Sequence, residues 1–363
     1  MLSILGYCTL VALTAVLLGQ AQAQAVRNAP VWSALLIGVV AAVLFQCRNE
    51  WLRAFRSGPM AAGGRDTPAL TALAVIAGAM TTFLLANALE LGAVVAAGIV
   101  GLLGALISPR KAAAAYCGAF VGMVSPDCLH AATHLLLAAL LAAGVFLLAA
   151  PVFNGFGGKL GTIAFTGCVA AAWLAGNPLS QAPIPSARVN ALIVLYSVLA
   201  AVATFSLSVR VKLGPVSASS LVGLLGGLFL PRLMPETGPL LAVVIICASF
   251  TGMSSRERLP DERHLLLAGL ITGFLFVFTL PVMGGAGGKL GTIAFASSMA
   301  ARTLTDWIAR RTKREGLPGP SAVEPNAAAA SETKTDSMGE IRETGEEQDG
   351  QTGGSDSPKT REP

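Results

Sequence analysis

Only 12% of the 363 residues are charged, about half the share that a water-soluble domain carries. That shortage leaves too little polar surface to coat a soluble globule of this length. Acidic residues are missing from the middle of every long apolar run. A bare cation inside a bilayer needs a counter-charge, so a divalent-cation carrier is a poor match. No CxxC spacing occurs, and the six cysteines (Cys8, Cys47, Cys117, Cys128, Cys168, Cys247) lie mostly within apolar runs. They read as buried small hydrophobes rather than as a redox or metal framework. The three histidines show no metal-ligand spacing, and no His/Cys/Asp constellation suggests catalysis. The expectation is a non-enzyme without cofactor or metal.

Hydrophobic residues make up 54% of the chain, at a mean hydropathy of +0.67. They fall in blocks of 15 to 20, the length that crosses a bilayer as helix. The chain therefore reads as a polytopic membrane protein, with the lipid bilayer as its first partner. Residues 312–363 differ in kind, with 6 Lys/Arg against 11 Asp/Glu and much Gly, Pro and Ser. Such a segment cannot bury enough surface to offset chain entropy and is expected to be a disordered acidic cytoplasmic tail. A cytosolic partner is its plausible ligand. The remaining 311 residues carry 25 − 6 = 19 basic and 20 − 11 = 9 acidic groups, a net of +10. These basic residues lie between apolar runs, so nucleic acid is not the implied partner.

Residues 117–165 align without a gap onto 247–295, with 25 of 49 pairs identical. GGKLGTIAF occurs in both copies. Upstream, VGLLGALISPR (100–110) faces VGLLGGLFLPR (222–232) at an offset of 122 instead of 130. Each copy holds five apolar segments, near 68–88, 92–108, 111–124, 133–152 and 159–176, then 190–209, 214–230, 238–253, 264–282 and 289–307. Two more, 2–19 and 31–47, precede them. Segments 111–124 and 238–253 are short for an independent span. The predicted fold is all-α, about 12 transmembrane segments arranged 2 + 5 + 5. Its parts are 1–66 (two segments and a basic loop), 67–188 (repeat 1), 189–311 (repeat 2) and the tail 312–363. Residues 1–25 also resemble a cleavable signal peptide, although the basic n-region is missing.

An odd number of spans per repeat makes the second copy run upside down. With the N-terminus inside, 17 basic residues through Arg314 fall on the cytoplasmic side and four outside, a strong positive-inside bias. The protein is accordingly expected in the cell membrane (the inner membrane if bacterial), multi-pass, with its C-terminus in the cytoplasm.

The two GGKLGT turns are the first candidate site. Gly157, Gly158, Lys159 and Thr162, with Gly287, Gly288, Lys289 and Thr292, combine an unwound backbone, a helix start and an ammonium group. That combination suits an anion. The competing reading is a tight turn whose lysines snorkel to headgroups on opposite faces. A P-loop is excluded, because Phe153 and Met283 stand where its first Gly belongs, and Leu160 and Leu290 where Ser/Thr belongs. Ser125 and Ser255 follow short helices rich in small residues and could coordinate solute at helix ends; close packing also explains those small residues. His134 and His264 are proton-coupling candidates or plain helix-end residues. The leading expectation is a permease or channel for a small anionic or neutral solute, with its site between the inverted repeats. The alternative is a membrane scaffold or assembly factor that recruits a partner through its tail.

Overall fold

The computed structural model describes residues 2–56, 67–177, 179–182 and 185–314. Among them are twelve helices and no strand beyond a single bridge between Ser180 and Gly284. An N-terminal hairpin of α1 (Leu2–Asn28) and α2 (Pro30–Arg56) comes first. Five helices follow: α3 (Pro68–Asn87), α4 (Ala93–Ile107), α5 (Ala112–Gly122), α6 (Ala132–Leu148) and α7 (Lys159–Leu174). The last five are α8 (Ala187–Val209), α9 (Pro215–Leu233), α10 (Gly238–Gly252), α11 (Glu262–Thr279) and α12 (Lys289–Arg314). One compact unit runs to Arg311, and the last residues of α12 lie beyond it. The expected acidic tail falls outside the described residues from 315 onward, as does Arg65 of the basic loop.

Six helices (α1, α2, α3, α8, α9 and α11) are long and apolar enough to cross a membrane. They leave large apolar side chains at the surface, among them Leu73, Leu84, Leu195 and Leu199, which suits lipid and not water. This is a multi-pass helical membrane protein. The other apolar helices are shorter than the segments read from sequence. Helix α5 has 11 residues, about 16 Å against a hydrocarbon core of about 30 Å. It is sheltered on all sides, and nine of its residues are buried. A short helix inside the protein need not meet the thickness of the bilayer.

The two repeated segments share a close helix packing. Helix α5 packs on α3 so closely that a Cβ at Gly122 would strike the Ala79 carbonyl. Helix α10 packs on α8 in the same way, with Gly252 against Ala201. The small residues of these helices thus allow backbone-to-backbone contact. Helices α4 and α9 face each other across the seam between copies. There the Tyr116 hydroxyl meets Ser219 Oγ at 3.0 Å, and Ser219 meets Ser249 at 2.8 Å. The hairpin is part of the same core. Tyr7 donates to the Cys47 carbonyl at 2.7 Å and stacks on Phe153, ring centroids 5.0 Å apart.

Candidate functional site

The turns before α7 and α12 have matching backbones. Phe153, Gly155 and Gly158 hold φ of 55°, 82° and 84°; Met283, Gly285 and Gly288 hold 51°, 82° and 85°. Each turn is inserted into the opposite copy. Ser255 N donates to the Gly155 carbonyl and Ser125 N to the Gly285 carbonyl, both at 2.8 Å. A Cβ on Gly158 would run into the Gly291 carbonyl, and one on Gly288 into the Gly161 carbonyl. A Cβ on Gly161 would lie 2.5 Å from Gly291 Cα. Glycine is required here twice over: positive φ forms the turn, and the missing side chain lets two helix starts cross backbone to backbone.

That crossing places the lysines. Lys159 and Lys289 each lie two residues before the touching Gly161 and Gly291. Their Cα atoms can be no more than about 15 Å apart on helical spacing, half the hydrocarbon thickness. Headgroup anchors on opposite faces do not fit that separation. Both lysines therefore leave the loop-charge comparison, which becomes 16 against three.

A cavity of about 470 Å³ opens beside one turn. Both copies line it: Asn87, Met123 and Ser125 from the first, Gly285, Lys289 and Leu290 from the second. Lys289 is 8% exposed, and Nζ donates to the Leu280 carbonyl at 3.3 Å, its one partner among the described residues. A smaller void of about 60 Å³ continues the cavity inward past Met123 and Ala286, between Phe120, Phe250 and Gly287–Gly288. The two phenyl rings stand 4.4 Å apart there. Another cavity of about 470 Å³ lies between the hairpin, α8 and α11, but its lining is almost wholly apolar and includes neither turn.

The equivalent position by the other turn is filled. Lys159 donates to Asn154 Oδ1 at 2.8 Å and to the Ala150 carbonyl at 3.4 Å. Arg258 donates through Nε to the Asn154 carbonyl at 2.8 Å, and its guanidinium lies 4.4 Å over the Phe156 ring. At the 130-residue offset, Asn154, Phe156 and Arg258 correspond to Gly284, Ala286 and Cys128. Larger side chains occupy one side and small ones leave space on the other. Sequence reasoning missed these three, although they are the points where two nearly identical turns differ. It also missed Glu50, because α2 runs to Arg56 and not to residue 47, carrying a carboxylate that is 6% exposed.

The remaining candidates divide. Gly157 sits against the Phe250 and Thr251 carbonyls, and its N–H donates to Ser254 Oγ at 3.0 Å. Thr162 donates to the Gly158 carbonyl at 3.4 Å; Thr292 Oγ1 is buried and without a partner among the described residues, as is Ser255 Oγ. Neither threonine lines the cavity, and neither do His134 and His264. His264 instead belongs to the cap of α11, where Asp261 accepts from its backbone N–H at 3.1 Å and from its ring. Burial alone would raise the Asp261 pKa, but these hydrogen bonds outweigh it and hold the carboxyl below its ordinary value. The cap therefore contributes fully above the usual carboxylate range and is lost as pH falls through the depressed pKa. Asp261→Ala should cost about 1 kcal/mol at neutral pH and almost nothing at strongly acidic pH. A thermal melt series across pH reads this; a pH-independent deficit would contradict it.

Comparison with protein-family models, with curated proteins and with solved structures gave no match.

Proposed function

We propose that the protein is a permease for a small anion, built from two five-helix repeats of inverted topology and working by alternating access. The observation that carries this reading is Lys289, a nearly buried ammonium on a cavity wall with, among the described residues, a single carbonyl partner and no carboxylate. An uncompensated charge in a low-dielectric site is costly, and a mobile anion relieves that cost. Ser125 adds a hydroxyl to the same wall.

Reciprocal insertion of the turns supports a pseudo-two-fold axis through the Gly161–Gly291 crossing. With the copies inverted, that axis lies in the membrane plane and the two helix starts meet near its middle, as in transporters with discontinuous helices. Loop charges support the same arrangement. The cavity mouth is formed by the loops after α3, α5 and α7, which the positive-inside rule assigns to the outside. Glu50, Arg258, Arg302 and Asn154 meet on the side assigned to the cytoplasm. On this reading the open cavity faces outward. A scaffold role would draw on residues 315–363, outside the described part of the chain.

The test is uptake by proteoliposomes of a panel of small anions and their neutral analogues. At least one anion should be taken up faster than its neutral analogue and in competition with other anions. Uptake of neutral solutes alone, or of none in a protein with a native melt, would refute the assignment.

A further inference from the structure

A largely buried ion pair stands on the filled side of the molecule. Arg258 donates through Nη1 to Glu50 Oε1 at 2.7 Å and through Nη2 to Oε2 at 2.9 Å, with the two side chains 15% and 6% exposed. Such bidentate pairing fixes both partners in direction as well as distance. Arg53 and Gln46 also donate to Glu50 Oε1, at 2.8 and 3.2 Å, so the carboxylate is held from its own helix too. The Arg258 carbonyl accepts from Arg302 Nη1 at 3.0 Å. Four parts of the chain converge on this pair: α2, the turn before α7, the loop after α10, and α12.

Glu50 has no counterpart in the repeat symmetry, because the hairpin stands outside both copies. Among the described residues nothing equivalent covers the cavity beside Lys289. Next to the ion pair lie Asn154, which is exposed, and the half-buried Lys159, Gly155 and Ser255, the counterparts at the 130-residue offset of Gly284, Lys289, Gly285 and Ser125. Ser255 Oγ is shut in without a hydrogen bond. We infer that Glu50 and Arg258 form the inner gate of the permease: their separation uncovers the Lys159–Ser255 half-site to the side opposite the Lys289 cavity. The inference rests on the permease reading for its purpose, but its geometry is testable without any flux. The pair suits a switch, since on separation Glu50 keeps Arg53 and Gln46 while the freed Arg258 guanidinium, already 15% exposed, is driven to move into water.

The experiment introduces one thiol at a time, by Ser125→Cys or Ser255→Cys, in the full chain in permeabilised native membranes. A membrane-impermeant maleimide is added and labelling is read peptide by peptide. The thiol at 125 should react at least about tenfold faster than the thiol at 255, as expected for an open against a closed site. Adding Glu50→Gln should raise labelling at 255 by about tenfold, whereas Glu50→Asp, which keeps the charge, should leave it protected. Buried Cys117 and Cys247 report on folding in the same digest. Equal labelling at 255 with and without Glu50→Gln would overturn the proposal. So would label gained equally on Cys117 and Cys247, which would make Glu50 a fold residue and not a gate. Loss of anion uptake alone would speak only to the permease reading.

Discussion

Replacing Lys289 with Met should reduce anion uptake from the outer side about 30-fold or more, chiefly through a raised KM. Truncating one partner of a desolvated charge pair typically costs 2–5 kcal/mol, about 30-fold at the lower end. The same substitution should leave the protein as stable as before or more so. Lys289 gains little from the single carbonyl it reaches, and a Met side chain of similar length fills the space without a buried charge. Lower transport with an undiminished melt is a combination that a structural role for the lysine would not produce. Lys289→Arg should recover part of the uptake. Lys159→Met should lower the maximal rate while leaving the outer KM within about twofold, because Lys159 does not line the Lys289 cavity and is joined through Asn154 to Arg258. Undiminished uptake by a correctly inserted Lys289→Met protein would remove the anion site from the molecule.

The largest effect on folding is expected at the crossing. Gly291→Ala places a methyl against the Gly161 backbone, where no side chain can rotate away. Overpacking of ordinary cores costs about 1–3 kcal/mol, and a backbone clash at the centre of the fold should reach or exceed the top of that range. Gly161→Ala should behave the same way, since the contact is reciprocal. Gly144→Ala is the matched control, with nothing within 4 Å of the added methyl in the middle of α6, and should be neutral or stabilising by up to about 1 kcal/mol. Detergent melts of the three variants measure the difference. A Gly291→Ala protein that melts with the parent would mean that the turns do not cross as described.

The helical membrane class was legible from the shortage of charge, and the repeated turns drew attention to the residues of the candidate site. The apolar runs at 31–47 and 111–124 were less informative about helix ends. Hydropathy marks where lipid is tolerated, whereas the charged end of α2 and the shortness of α5 follow from neighbours that shield them. Repetition also hid something. Identity between copies drew attention to Lys159 and Lys289 as equals, yet one faces a cavity and the other a plug. That asymmetry is written in the few differences, Asn154 for Gly284, Phe156 for Ala286 and Arg258 for Cys128, and in Glu50, which lies outside the repeat. No pattern along the chain indicated that Glu50 would reach a residue 208 positions away.

The clasped turns also have a consequence for biogenesis. Gly158 rests against Gly291 and Phe295, so the centre of the first repeat has no wall until the start of α12 has been made. Synthesis runs from the N-terminus, and long-range contacts of this kind form late. Eleven helices must wait in the bilayer until then, with the first turn unfilled. Either half expressed alone should be prone to degradation, and the two halves co-expressed as separate chains should rescue each other.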